Sequence, residues 1–183
     1  FRSARTMRTA QELYEGVEIG KEGTVGLITY MRTDSTRISD TARDEARAYI
    51  INTFGEEYYP KTPRVFSKKA AQDAHEAIRP TSIELHPDTI KQHLSKDQYK
   101  LYKLIWDRLV ASQMAEAVLD TMSVTIQNNK ATFKATGSKV KFPGFMTLYI
   151  EGSDDGGDDN DKFLPSLEQN DQLKSINLDP RQH

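Results

Sequence analysis

The hydrophobic pattern of the chain changes at about residue 118, and this change limits the possible folds more than any other feature of the sequence. Before that point, apolar residues recur every three or four positions, which is typical of amphipathic helices. After it, apolar and polar residues alternate, which is typical of half-buried strands. The sequence therefore predicts an α+β fold, with a helical domain over residues 1–116 and an antiparallel β segment over residues 117–183.

Start and stop signals divide the helical domain into five predicted helices. They cover residues 3–15, 39–54, 70–78, 86–94 and 95–117. Ser3, Ser39 and Ser95 are the expected N-caps, and a short strand is expected in "VGLITYM" after the first helix. The third helix bears on function, because it would place His75 and Arg79 four residues apart on one face.

The β segment is predicted to contain four strands. They cover residues 118–127, 131–137, 139–145 and 145–151, with turn signals at Asn128-Asn129 and Gly137-Ser138. The stretch "EGSDDGGDDND", residues 151–161, has no apolar residue and is expected to be a flexible acidic loop.

Composition excludes several classes of protein. Of the 183 residues, 37% are hydrophobic and 28% are charged, which suits a soluble domain with a core, and no apolar run approaches the length of a membrane helix. Cysteine is absent, so the chain has no disulfide and no Cys-ligated metal. The four histidines show no metal-ligand spacing, and no metal site is expected on this chain.

The charge balance permits a nucleic-acid partner once the acidic stretch is set aside. The formal net charge is −2, but residues 151–161 hold six of the 27 acidic residues. The other 21 face 25 basic residues, which leaves a net charge of +4 outside that stretch. This mild basic excess is compatible with binding DNA.

The stretch "GLITYMRTDSTR", residues 26–37, combines the parts of a phosphoryl-transfer site. A tyrosine hydroxyl is ionised in roughly one molecule in a thousand at neutral pH, so a nucleophilic tyrosine needs a nearby cation or base. On an extended backbone Arg32 and Asp34 point to the same side as Tyr30, so the guanidinium could bind a phosphate while the acid holds the guanidinium. The neighbouring hydroxyls face the other way: Thr29, Thr33 and Ser35. A half-buried packing tyrosine would also fit this pattern.

A second cluster, "AHEAIRPT", residues 74–81, adds a histidine and an arginine that could both meet a phosphate. Taken alone, His75 could equally be a structural histidine. The two clusters together, in this order and about forty residues apart, resemble the type IA DNA topoisomerases, and within that family the bacterial topoisomerase I group. The resemblance covers the whole chain and includes the upstream "AQELYEG".

The resemblance implies roles for individual residues. Tyr30 matches the nucleophile that attacks single-stranded DNA and forms a 5′-phosphotyrosyl link, while another strand passes through the gap before resealing. Arg32 matches the arginine at the scissile phosphate, His75 a histidine beside it, and Asp34 a supporting acid. Further DNA contacts are expected from the following residues: Thr29, Thr33, Ser35, Arg37 and Arg79.

The resemblance also implies a fold, a cofactor and missing parts. The helical portion would be domain III, with a helix-turn-helix like that of the catabolite activator protein, and the β portion part of the hinge arch, domain II. The family's Mg²⁺ is held by the acids of a Toprim domain, for which this sequence has no candidate segment. We therefore expect a fragment that is inactive alone in relaxation, and a cytoplasmic, nucleoid-associated, monomeric parent that acts on single-stranded and negatively supercoiled DNA.

Two other interpretations remain open at this stage. A helix-turn-helix domain could bind DNA without covalent chemistry, and a protein-interaction domain could use the acidic loop for docking. The first would bind single strands but never cleave them. The second would show no salt-dependent binding to single strands.

Overall fold

The computed structural model describes residues 2–64, 75–150 and 167–174 and divides into two compact units. The first unit comprises Phe1–Val118 and Phe142–Glu151, and the second comprises Leu119–Lys141 and Gly152–His183. Helices and short sheets are both present, which confirms the α+β class. Their assignment to particular domains of the type IA enzymes stays a prediction, as does the boundary at residue 116.

All α-helices of the described residues lie in the first unit. They are α1 (Ser3–Glu15), α2 (Asp40–Phe54), α3 (Pro87–Ile90) and α4 (Lys96–Gln113). The predicted caps of α2 and α4 are confirmed: the Ser39 hydroxyl accepts from the Ala42 amide, and Ser95 forms a capping box with Gln98. The predicted cap of α1 is wrong, because Ser3 lies within the helix and Arg2 is the N-cap.

The predicted helix over residues 70–78 is also wrong in its described part, since residues 75–78 are not helical; residues 70–74 lie outside the described residues. The Ala77 amide donates to the Arg37 carbonyl at 2.8 Å instead of to a carbonyl one turn earlier. Pairing with distant segments therefore replaces the internal hydrogen bonds of a helix here. His75 and Arg79 do not share a helical face.

The core of the first unit forms around α4, which packs against α1 and α2. Trp106 and Tyr102 are fully buried, and each uses its polar group to hold the segment before α3. Trp106 Nε1 donates to the Ile83 carbonyl at 3.2 Å, and the Tyr102 hydroxyl donates to the Leu85 carbonyl at 2.7 Å. Burial raises the pKa of Tyr102 well above its usual value.

Two small sheets complete the described structure. In the first, β1 (Val17–Glu18) pairs antiparallel with β2 (Thr24–Val25). In the second, β3 (Val118–Asn128) pairs with β4 (Ala131–Phe142) across a two-residue connection in which Asn129 has a φ of 52°. Asn129 thus lies in the turn that the sequence predicted.

Two predictions about the β segment are wrong. Gly137 and Ser138 lie within β4 and form no turn, and residues 145–150, the described part of the last predicted strand, contain no strand. A 3₁₀ turn, Gly144–Thr147, follows β4 and packs closely on the chain after α4. A Cβ at Gly144 would lie 2.5 Å from the Ala115 carbonyl oxygen, and Phe145 donates its amide to that oxygen. The predicted acidic loop, residues 151–161, lies outside the described residues.

None of the helices in the described ranges is both long and apolar enough to cross a membrane.

Candidate active site

The two sequence clusters are joined by backbone pairing. The Thr29 amide donates to the Arg79 carbonyl at 2.9 Å, and the Thr81 amide donates to the Leu27 carbonyl at 3.0 Å. Between these bonds Ile28 and Pro80 form an antiparallel bridge. The segment before Tyr30 and the segment after His75 are therefore neighbours in space, although about fifty residues separate them in sequence.

The Thr29 side chain adds two hydrogen bonds to this pairing of backbone segments. It donates to the Ala77 carbonyl at 2.7 Å and accepts from the Arg79 amide at 2.9 Å. Both partners are backbone groups of a segment that lacks helical hydrogen bonds. In this structure the Thr29 hydroxyl thus holds the two clusters together; the predicted contact of Thr29 with DNA stays a prediction.

Tyr30 lies at the protein surface with 39% of its area exposed. Its ring meets the ring of Tyr14 edge-on, with the centroids 5.3 Å apart, and lies 6.2 Å from the imidazole of His75. An exposed phenol beside an imidazole can reach a phosphodiester in solution, whereas a phenol sealed in the core could not. The structure therefore brings together two of the predicted catalytic side chains.

The end of α1 positions this tyrosine. Leu27 donates its amide to the Leu13 carbonyl at 2.8 Å, which fixes the segment against the last turn of the helix. Gly26 permits the approach, because a Cβ there would lie 2.8 Å from the Tyr14 carbonyl oxygen. The ring of Tyr14, on the same turn, then packs against Tyr30.

Arg32 and Asp34 are exposed, as Tyr30 is. Met31, which lies between Tyr30 and Arg32 in the sequence, is buried. This alternation agrees with the prediction that the three side chains share one side, although the backbone bends at residues 31 and 32. With the residues that the structure describes, Arg32 and Asp34 form no ion pair. The expected support of the guanidinium by Asp34 is not seen, and Arg32 is left available to an incoming anion.

The hydroxyls of Thr33 and Ser35 shape the loop that follows. The Thr33 hydroxyl accepts from the Ser35 amide at 3.0 Å, and the Ser35 hydroxyl accepts from the Arg37 amide at 3.3 Å. Such short-range bonds stabilise turns. The structure gives both side chains a local role, and their contact with DNA remains a prediction.

Arg79 is largely buried and ion-paired within the chain. Its side chain is 14% exposed; the guanidinium binds the Glu76 carboxylate at 2.6 Å, and Nη1 donates to the Pro80 carbonyl at 2.8 Å. Arg37 is 49% exposed and lies 3.9 Å from the other oxygen of Glu76. Arg37 is therefore the better placed of the two arginines to meet an external phosphate.

Sequence reasoning missed Tyr14 and Glu76 as parts of this site. Tyr14 counted only as one residue of an apolar helix stripe, and nothing local connects it to Tyr30. Glu76 follows His75 directly in the motif, but it forms ion pairs with Arg79, three residues later, and with Arg37, 39 residues earlier.

The described residues contain no group of three or more His, Asp or Glu side chains that could hold a metal ion. The Mg²⁺ that the family resemblance implies therefore does not fit on this part of the chain.

Comparison with known proteins identifies the family. A family model described as DNA topoisomerase matches residues 1–183. The chain belongs to the type IA DNA topoisomerases. Among solved structures, this topoisomerase segment is similar to full-length topoisomerase I from Thermotoga maritima, with 42% sequence identity and a TM-score of 0.71. The match covers 84% of the chain and 24% of that protein, so the chain spans about a quarter of its relative.

Proposed function

We propose that this chain is the tyrosine-bearing part of a bacterial topoisomerase I, and that Tyr30 is the nucleophile that cleaves one DNA strand. The observation that carries the proposal is the exposed Tyr30 ring 6.2 Å from His75, on two motifs that backbone hydrogen bonds hold together. A purely structural tyrosine would gain stability from full burial, whereas Tyr30 keeps 39% of its area exposed.

The proposed reaction is a reversible exchange of esters. The Tyr30 oxygen forms a bond to phosphorus, and the bond from phosphorus to the 3′ oxygen breaks. The phenol loses one proton and the leaving 3′ oxygen gains one, which gives a 5′-phosphotyrosyl link and a free 3′-hydroxyl. The reverse attack by that hydroxyl reseals the strand after another strand has passed. Because the link keeps the energy of the phosphodiester, relaxation of negatively supercoiled DNA needs no ATP.

The neighbouring side chains supply positive charge and hydrogen bonds to the phosphate. Arg32 is exposed two residues after Tyr30 and makes no ion pair with the described residues, so its guanidinium can stabilise the negative charge that develops. In the proposed reaction His75, whose ring centroid lies 6.2 Å from that of Tyr30, donates to a phosphate oxygen or moves a proton. Asp34 makes no ion pair with Arg32 in this structure, so the supporting role proposed for Asp34 does not act through that arginine. Arg37 contacts the DNA backbone.

The chain supplies the nucleophile, and the part of it that the structure describes holds no metal site. Mg²⁺ would be held by the acids of a Toprim domain elsewhere in the parent enzyme, where it would assist proton transfer and bind phosphate. The 183 residues alone should therefore relax no supercoiled DNA. The parent would act as a monomer in the cytoplasm at the nucleoid, in line with its DNA substrate.

The full-length protein with Tyr30→Phe tests the proposal. A single-stranded oligonucleotide labelled at one end should be cleaved by the wild type and not at all by the variant, while binding stays within about twofold. Tyr49→Phe is the matched control, because the Tyr49 hydroxyl makes no hydrogen bond with the described residues. Cleavage by Tyr30→Phe would refute the assignment, and binding without cleavage by the wild type would favour a non-covalent DNA-binding module.

A further inference from the structure

The phenol ring of Tyr14 lies at the protein surface beside the proposed nucleophile. Its centroid is 5.3 Å from that of Tyr30, and Tyr14 keeps 41% of its area exposed. An edge-on contact of this kind covers at most one face of the Tyr14 ring. The Tyr14 hydroxyl makes no hydrogen bond with the residues that the structure describes. The ring is therefore accessible to a further partner at the edge of the site.

The backbone holds Tyr14 firmly although its side chain is exposed. Tyr14 belongs to the last turn of α1, and its neighbour Leu13 accepts at its carbonyl from the Leu27 amide at 2.8 Å. Gly26 approaches the Tyr14 carbonyl oxygen so closely that a Cβ would lie 2.8 Å from it. These contacts join the end of the helix to the segment that leads to Tyr30. A tyrosine has few rotatable bonds, so on a fixed backbone it loses little conformational entropy when a ligand packs against it.

The surroundings of Tyr14 on α1 suit an uncharged ligand group better than a phosphate. Met7 is 42% exposed and lies on the same face of the helix, because seven residues make almost two full turns. Gln11 lies between them and donates to the carboxylate of Glu15, which holds a negative charge on the same turn as Tyr14. That charge repels a phosphate but not a nucleobase.

A single strand of DNA offers such uncharged groups in its bases. Each base has a flat π-face, and stacking on an aromatic side chain raises the affinity about 5- to 150-fold per base. The bases that flank a phosphodiester are attached to the two sugars that it joins. A phosphate at the Tyr30 oxygen therefore brings a base within reach of the neighbouring Tyr14 ring.

We propose that Tyr14 stacks on one of the two bases that flank the phosphate attacked by Tyr30, and so helps to hold the strand for cleavage. The inference rests on the proposed function, because it names a contact with the same DNA substrate. Stacking is tolerant of sequence, so the contact would serve many cleavage sites.

The test uses the full-length protein with Tyr30→Phe, which should bind DNA without cleaving it, and adds Tyr14→Ala. The dissociation constant for a single-stranded oligonucleotide, measured by fluorescence anisotropy, should rise about 5- to 150-fold. Adding Tyr14→Phe instead should change it less than about twofold, because the ring remains. Phe133→Ala is the matched control, because Phe133 is an exposed aromatic residue of the second unit and has no ring contact with the described residues.

An oligonucleotide with one abasic nucleotide removes the same contact from the DNA side. Cleavage by the wild type locates the scissile phosphate, and the abasic nucleotide is then moved through the positions around it. At one of the two flanking positions the missing base should weaken binding to Tyr30→Phe by a similar factor. When Tyr14→Ala is also present, the same missing base should cost less than about twofold. Tyr14→Leu, which also lacks the ring, takes the place of Tyr14→Ala if the latter fails to fold.

Three results would overturn the inference. They are unchanged affinity without the Tyr14 ring, equal losses from the abasic nucleotide with and without that ring, and slower cleavage by Tyr14→Ala with unchanged binding. The last result would mean that Tyr14 only holds the ring of Tyr30. A wild type that cleaves while Tyr14→Ala binds normally refutes the stacking alone. A wild type that cleaves nothing refutes the proposed function, and the inference falls with it.

Discussion

Replacing Thr29 with valine removes a single hydroxyl and hardly changes the volume of the side chain. That hydroxyl donates to the Ala77 carbonyl and accepts from the Arg79 amide, at 2.7 and 2.9 Å. Valine can make neither bond. The substitution therefore isolates the connection between the segment that ends at Tyr30 and the segment that begins at His75.

The expected loss of stability follows from these two bonds. An intramolecular hydrogen bond contributes about 1 kcal/mol net, so the free energy of unfolding should fall by about 2 kcal/mol. Such a change raises the ratio of unfolded to folded protein about 30-fold. Thr29→Ser keeps the hydroxyl and loses only a methyl group, so its loss should stay below about 1 kcal/mol.

Urea unfolding followed by tryptophan fluorescence measures this loss in the first unit. Trp106 is the only tryptophan of the chain and is fully buried in that unit's core. With a slope of about 2 kcal/mol per molar urea, the valine variant should unfold at about 1 M lower urea than the wild type. A valine variant within about 0.5 kcal/mol of the wild type, or a serine variant as unstable as the valine variant, would refute the reasoning.

Three further predictions follow from the same contacts. Gly26→Ala places a Cβ 2.8 Å from a carbonyl oxygen at the end of α1, so the urea midpoint should fall by the equivalent of about 1–3 kcal/mol; an unchanged midpoint would contradict the close approach. Arg37→Gln should reduce the log–log salt slope of single-strand binding by the full-length protein by about 0.7; an identical slope would show that Arg37 contacts no phosphate. The hydrogen bond from Tyr99 lowers the pKa of Asp88, so Tyr99→Phe should raise the pKa of Asp88 towards its ordinary value in an NMR titration. The stabilisation linked to Asp88 is fully present at pH values above the ordinary pKa of an aspartate, and it is lost as the pH falls through the lowered pKa that Asp88 has in the folded protein. The difference in the free energy of unfolding between the wild type and Tyr99→Phe should therefore become smaller in acid.

The parts of the fold that local signals determine were predictable from the sequence. Ser39 and Ser95 each cap a helix through a side chain that accepts from an amide only three residues further on, and Gly16 and Gly55 end helices with positive φ angles. In each case the deciding contact lies within one turn of the residue that signals it. The change of hydrophobic pattern at about residue 118 also separated the helical part from the strands, because this pattern depends only on residues that are close in sequence.

The failures occur where distant contacts override local preference. Residues 75–78 follow a run of good helix formers, but Ala77 pairs with Arg37 and Thr29 instead. Gly137 and Ser138 form a common turn dipeptide, yet hydrogen bonds to the neighbouring strand keep β4 continuous through them. Neither partner is visible in the local sequence.

The candidate site also combines features that the local sequence predicts with features that depend on distant contacts. The motif residues Tyr30 and His75 could be singled out from their chemistry, and the structure places their rings 6.2 Å apart. Tyr14 and the Glu76–Arg79 pair could not be foreseen, because their importance depends on which segments meet after folding. The expected pairing of Arg32 with Asp34 failed because spacing alone does not determine whether two exposed side chains meet.

The most direct test of the central claim is to locate the covalent link between the full-length protein and a cleaved single-stranded oligonucleotide. After digestion with trypsin, mass spectrometry should find the nucleotide adduct on the peptide of residues 22–32, in which Tyr30 is the only tyrosine. An adduct on any other peptide, or strand cleavage with no adduct at all, would contradict the account.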